Sequence, residues 1–267
     1  MAANEPPKIL YKYRPCDKYN EDIILGNELY LPRPSTFNDP FDCRGRIVLD
    51  GTDEELRGFL RDHVMTTMKI APENVESILD RLFSDDRAQM YRSEQFSRQV
   101  SEHLRNGMEV LCMSEVRDNI VMWSHYADHH KGLCLGFSTE NSGLLRAAEK
   151  VEYKSTLPVL NVLRASREDV NGGLVGTKFS AWDYEREWRV VRAATAHQRY
   201  PLPRGTLVEV VFGWRIPAHD RRQIVRMVHY SRTQVKYFQA REDERAYALQ
   251  IVPVPLSDER IREALEG

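Results

Sequence analysis

The period of apolar and polar positions changes several times along this chain, and each change marks an element. Residues 8–14 (KILYKYR) are a short aromatic and β-branched run stopped by Pro15, which predicts a strand. Residues 17–27 carry Ile23, Ile24 and Leu25 behind a polar start. They end on Gly26-Asn27, a helix terminus that leads into a second strand at 29–31. Residues 33–42 (RPSTFNDPFD) combine two prolines with a Ser/Asn/Asp cluster and form a loop, after which a strand resumes at 46–49.

From 53 to 106 the period is helical: Leu56, Phe59, Leu60 and Val64, then Val75, Ile78, Leu79 and Leu82, then Phe96, Val100 and Leu104. This predicts a helical insertion of two or three helices, ended by Gly107. Residues 108–113 (MEVLCM) and 133–137 (LCLGF) read as buried strands. Between them lies a helix that Asp118 or Asn119 caps, running to His130 and closed by Lys131-Gly132. A short helical stretch is expected at 143–150 and a strand at 151–154. A less regular segment follows to Gly173, and residues 175–184 lead into a charged bend at 183–187. Strands follow at 188–192, 206–214, 235–239 and 248–254, with a helix at 217–230. Strands broken by helices at irregular intervals predict an α+β fold rather than a doubly wound sheet. The expectation is one domain over 1–267, with a strand-rich mixed core from 8–50 and 108–254 and the helices of 53–106 to one side.

Composition narrows this picture without redrawing it. With 42% hydrophobic and 29% charged residues the chain has the material for a core, which excludes wholesale disorder. Its 38 basic and 40 acidic residues cancel to −2, so no global field draws it to nucleic acid or anionic lipid. No run approaches the roughly 20 apolar residues of a membrane span. Residues 1–8 have neither a basic start nor an apolar signal core, so a cytoplasmic protein without a membrane partner is expected. Cys16, Cys43, Cys112 and Cys134 lie far apart with no C-x-x-C pair, which reads as free, mostly buried thiols.

Three segments hold more polar and aromatic residues than packing requires. In the first, alternation sends Lys12 and Arg14 to one face of their strand and Tyr11 and Tyr13 to the other, making one face cationic. The loop with Asn38, Asp39 and Asp42 follows, and Asx-turn chemistry alone can explain it. The second joins Ser114 and Glu115 to Trp123, His125, Tyr126, His129 and His130. The i, i+4 pair His125/His129 has zinc-ligand spacing but no Glu follows the first His, so no metal site is expected. Trp123 and Tyr126 are core aromatics or a stacking surface for a planar ring, with His125 as its polar anchor. The third sets Glu185 and Glu187 between Trp182 and Trp188, either as desolvated carboxylates or as rungs of an ion-pair ladder with Arg186, Arg189 and Arg192.

In this order the motifs resemble a bacterial family known only as domain of unknown function 2971. They are Lys12 to Arg14, Phe37 to Asp42, Cys112 to Glu115, Trp123 to Asp128 with Gly132 to Phe137, and Tyr184 to Arg189. More distantly, the opening strand, short helix and strand of residues 9–31 look like the first motif of the ADP-ribosyltransferase superfamily. That resemblance implies a split sheet and NAD as cofactor. It also implies cleavage of the nicotinamide–ribose bond, with transfer of ADP-ribose to an unidentified acceptor, a macromolecule among the candidates, in a toxin or antiviral defence setting. Carried onto this chain, it makes Glu187, Glu185 and Tyr126 catalytic. Lys12, Tyr13, Arg14, Asn38, Asp39, Ser114, Trp123 and His125 become cofactor-binding residues converging on one cleft. Glu187 would offset the positive charge on the ribose, Arg14 would hold the diphosphate, and Tyr126 or Trp123 with Ser114 would hold the nicotinamide. On that assignment Glu187→Gln removes activity and spares stability.

Two alternatives remain open on the residues. One is a metal-dependent nuclease or phosphodiesterase using Asp39, Asp42, Glu115, Glu185 and Glu187 as oxygen ligands, with Arg221, Arg222, Arg226 and Arg232 as its basic surface. The other is a non-catalytic nucleotide-sensing or interaction module.

Overall fold

In the computed structural model, the alternation of residues 9–14 becomes strand β1 (Ile9–Arg14), an inner strand that separates two cores. The structure describes residues 5–66, 69–84, 94–195, 198–255 and 257–266. The expected core positions Leu82 and Phe96 lie outside the residues whose side chains are described. By its contacts the chain divides into two compact units. The first comprises Met1–Pro32, Glu109–Val151 and Ser180–Gly267, and the second comprises Arg33–Met108 and Glu152–Phe179.

The first unit is built on an eight-stranded mixed sheet. Besides β1 it contains β4 (Met108–Ser114), β5 (Leu133–Ser138), β6 (Glu149–Lys150), β10 (Glu187–Ala193), β12 (Leu207–Phe212), β13 (Lys236–Glu242) and β14 (Leu249–Val254). The order is β14-β13-β12-β5-β1-β4-β10-β6. β1 pairs antiparallel with β5 along its whole length, from Ile9 opposite Ser138 to Arg14 opposite Leu133, and antiparallel with β4 at Tyr11 and Ser114. β12 and β13 run parallel and are joined by the helix Ala218–Tyr230, as a parallel pair requires a crossover. A separate ribbon pairs β2 (Glu28–Tyr30) with β11 (Arg199–Pro201).

Strand alternation gives the sheet two different faces. Leu10, Leu111, Met113, Leu135, Trp188 and Val190 belong to one core, together with Ile224, Val225 and Val228 of the crossover helix. Tyr11, Tyr13, Cys134 and Val211 belong to the other, together with Met122 and Trp123 of the helix Ile120–Tyr126. The fold is therefore α+β with a large mixed sheet, as the element pattern predicts.

In the second unit the helices Asp53–Thr66, Pro72–Ser84 and Glu94–Asn106 follow the predicted helical run. Leu49, Leu56, Leu60, Val64, Val75 and Leu79 form a core of their own. This unit also holds two parallel ribbons, β3 (Arg46–Val48) with β8 (Val159–Asn161) and β7 (Glu152–Lys154) with β9 (Thr177–Phe179).

One element departs from its expected length in a way that shapes the site. The helix expected to reach His130 stops at Tyr126, and Asp128, His129 and His130 follow with φ of 43°, 51° and 70°. His125 and His129 therefore do not share a helical face. Gly132, expected as the helix-closing residue, instead permits a close approach of two backbones, since a Cβ there would lie 2.1 Å from the Arg14 carbonyl oxygen. Among the described residues, elements without a counterpart in the sequence pattern include β6, β8, β11, β9 as a separate strand, and the helices Arg167–Val170 and Glu259–Glu266.

Candidate active site

The tyrosine face of the main sheet gathers most of the residues singled out in the sequence. Asn119 starts the helix Ile120–Tyr126, its side chain accepting from the backbone N–H groups of Val121 at 2.9 Å and Met122 at 3.1 Å. This cap aims Trp123 inward and leaves His125 and Tyr126 toward the surface. Trp123 is fully buried, donates its indole N–H to the Arg117 carbonyl at 3.0 Å and meets Tyr13 edge-on at 5.3 Å. Tyr13 is buried too and donates to the Val116 carbonyl at 3.0 Å. Both rings are interior packing, so the expectation that they contact a cofactor is corrected: no ring face is open there.

A second arm reaches the same place from residues 180–187. The 3₁₀ turn Ser180–Glu185 precedes β10 and delivers Glu185, which is buried. The Tyr126 hydroxyl donates to Glu185 Oε1 at 2.7 Å. Ser114 secures this arm, since its hydroxyl donates to the Glu185 carbonyl at 2.6 Å and accepts from the Val116 N–H at 3.1 Å. Ser114 is thus a positioning group spent on main chain, not the amide anchor expected of it. Asn119 adds a bond from Nδ2 to the Tyr184 carbonyl at 3.3 Å, and the Glu115 N–H donates to the Arg186 carbonyl at 3.1 Å. Around the pair stand His125, Trp182 and Tyr184, with the His125 ring 6.1 Å from Trp182 and 6.3 Å from Tyr184. Tyr184 Oη and His125 Nδ1 are 3.2 Å apart. The result is a partly exposed aromatic rim around a half-buried tyrosine bonded to a buried carboxylate.

Glu187 lies on the same face but is closed. Arg189 Nε and Nη2 donate to its two oxygens at 2.8 and 2.9 Å, and both side chains are almost fully buried. For Glu187 the ion-pair reading holds, with Arg189 as the partner, whereas Glu185 is a desolvated carboxylate bonded to Tyr126.

Strand alternation sets Lys12 and Arg14 on the face away from Tyr13, and Lys12 lies within the field of Glu187. Lys12 Nζ donates to the Cys112 carbonyl at 3.2 Å, and burial, with Arg14 acting in the same direction, lowers the pKa of its ammonium group. Arg14 pairs with Asp17 at 3.2 Å. Asn38 and Asp39 belong to the second unit. There Asp39 Oδ1 accepts from the Phe41 N–H at 2.8 Å in an Asx-turn, and buried Asp42 pairs with Lys178 at 3.5 Å.

His130 stands in the second candidate segment without an assigned role, and the structure gives it a defined place. Ser124 Oγ lies 3.0 Å from the Ile120 carbonyl oxygen and 3.0 Å from His130 Nε2. The imidazole stacks on Trp123 at 6.5 Å, and its buried Nδ1 has no hydrogen-bond partner among the described residues. Burial, then Arg215 and His129, lowers its pKa. The one sequence signal for it is the polar run Asp128-His129-His130-Lys131 ahead of a glycine.

The oxygen ligands of the nuclease alternative are engaged within the chain, Asp39 by the Phe41 N–H, Asp42 by Lys178 and Glu185 by Tyr126. Glu115 accepts from Trp188 Nε1 at 2.9 Å and from Lys150 at 3.2 Å, and Glu187 is taken by Arg189. Among the described residues no group of three or more His, Cys, Asp or Glu side chains is placed to hold a metal ion.

Fold and site together define a class: an α+β protein with a tyrosine–carboxylate pair under an aromatic rim at one face of a mixed sheet. The family model described as "Protein of unknown function (DUF2971)" matches residues 122–190. This stretch includes Tyr126, His130, Glu185, Glu187 and Arg189, and it supports the nearer of the two sequence resemblances. No curated protein and no solved structure matches the chain.

Proposed function

We propose that the first unit is an NAD-consuming transferase of the ADP-ribosyltransferase type, with Glu185 as its carboxylate in place of Glu187. The observation that carries this reading is the 2.7 Å bond from Tyr126 to Glu185, which joins residues 59 positions apart beneath rings able to stack a flat nicotinamide. In this reaction the bond between the ribose C1′ and the nicotinamide nitrogen breaks, its electron pair leaving with nicotinamide. Positive charge grows on the ribose, and a fixed carboxylate beside it lowers the barrier. The acceptor then bonds to C1′ and gives up its proton to Glu185. Tyr126 holds the carboxylate in position, and His125, Trp182 and Tyr184 supply the ring surface. Glu187 is less suited because Arg189 already balances its charge. The likeness to an ADP-ribosyltransferase split sheet belongs to this proposal.

The test is incubation of the purified chain with NAD labelled in the adenylate part, alone and with cell lysate, following nicotinamide release and label transfer. Glu185→Gln is expected to lower turnover by about 10²-fold or more while the fold is retained. Equal turnover by wild type and Glu185→Gln removes this residue from the mechanism. A second reading, a nucleotide-sensing module without chemistry, is favoured by the closed Glu187–Arg189 pair. It predicts NAD binding with no nicotinamide released under any condition.

A further inference from the structure

A cavity of about 900 Å³ opens in the second unit between residues 44–50, which include β3, and the helix Glu94–Asn106. That volume suits a small molecule. Its wall carries Arg44, Arg46 and Arg98 together with Asp50 and Glu102, and Ser97 and Ser101 come from the helix. Ser97 is spent on the Ile47 carbonyl, whereas the Ser101 hydroxyl and the side chains of Arg44 and Arg46 have no partner among the described residues.

One turn beyond Ser101 on the same helix stands Arg105, which is 6% exposed. Its Nη2 donates to the Pro34 carbonyl at 3.0 Å, its Nε is buried without a partner, and no carboxylate pairs with it among the described residues. Burial lowers its pKa, and Arg44 acts in the same direction, so the two cations lie within each other's field. A buried guanidinium without a directly bonded counter-ion, coupled to a second unpaired one on a cavity wall, is an arrangement that an anion completes.

We propose that this cavity binds a phosphate-bearing small molecule, its phosphate held by Arg44 and the Ser101 hydroxyl with the Arg105 charge behind them. A phosphate offers several acceptors to the planar guanidinium fork and to a hydroxyl at once. Asp50 and Glu102, whose carboxylates carry no hydrogen bond or ion pair among the described residues, face the remainder of the ligand as acceptors for hydroxyl or amino groups. All these residues belong to the second unit, so the proposal is independent of the transferase reading.

The experiment is calorimetric titration of the full chain with inorganic pyrophosphate, paired with thermal unfolding of every variant. Wild type is expected to bind saturably at one site and to unfold at a higher temperature with pyrophosphate present. Arg44→Gln is expected to weaken binding at least about tenfold. Ser101→Asp, which sets a negative charge against the phosphate, is expected to abolish it. Arg222→Gln, on an exposed position of the crossover helix, is expected to bind as wild type does. Absence of any heat or shift in unfolding temperature for wild type overturns the proposal, and so does wild-type affinity in either folded cavity variant.

Discussion

Glu187 and Glu185 stand two residues apart in the same motif, yet their surroundings give them different physics. Glu187 has both oxygens held by a buried arginine, and Glu185 has a tyrosine hydroxyl on one of its oxygens. Glu187→Gln leaves Arg189 buried without its counter-charge, and a loss of about 3 kcal/mol of unfolding free energy is expected in urea titration. This replaces the outcome expected from sequence, in which the same change removes activity and spares stability. His130 provides a pH test. Its folded-state pKa is lowered from the ordinary 6.5, so its neutral form is the one the fold favours. That contribution is fully present above 6.5 and is lost as pH falls through the lowered value. His130→Gln is expected to flatten the fall of the urea midpoint between pH 7 and pH 5 relative to wild type.

At the scale of elements, the left-handed turn after the helix Ile120–Tyr126 is held by backbone bonds on both sides. The Gly132 N–H donates to the Ala127 carbonyl at 2.8 Å, and the Arg215 N–H donates to the His130 carbonyl at 2.9 Å. The chain passes so close to β1 and to the residue after β12 that only hydrogen fits at two points. A Cβ on Gly132 would lie 2.1 Å from the Arg14 oxygen, and one on Gly213 would lie 2.2 Å from the His130 oxygen. Since the obstacles are backbone, they move only if strands move. Gly132→Ala is expected to destabilise by about 2 kcal/mol, measured as a lower unfolding temperature, and to lower any activity that depends on Tyr126. The sequence marks this glycine but not its role, because a closing glycine and a close-contact glycine read alike.

For the whole molecule, the thiol expectation holds: none of the four cysteines is in a disulfide, with Cys43 and Cys134 buried and Cys16 and Cys112 partly so. Burial, helped by Asp220, Asp17 and Asp128, pushes the Cys16 thiol up to about 12, and burial also raises Cys134. In native protein at pH 8, alkylation followed by peptide mass spectrometry is expected to leave Cys43 and Cys134 unmodified and Cys16 slow. In urea all four label, and a reducing agent leaves the unfolding temperature unchanged. No helix among the described residues is long and apolar enough to cross a membrane.

Most of the long elements were legible because their signals are local. The strands at 9–14, 108–114 and 133–138 and the helices of 53–106 each announce themselves through period, caps and punctuation within their own span. The elements missed are short and stabilised from outside: β11 exists because β2 lies beside it, and Ile261 and Ala264 fix the helix Glu259–Glu266 by burial against the first core. The site divides the same way. Sequence identified Tyr126, Glu185 and Glu187 as residues of interest, and alternation alone assigned Lys12 and Arg14 to the face away from Tyr13. It could not rank the two glutamates, because Arg186 and Arg189 both stand within two residues of Glu187. Only the extended path of β10, which puts residues 187 and 189 on one buried side, makes that pair and leaves Tyr126 for Glu185.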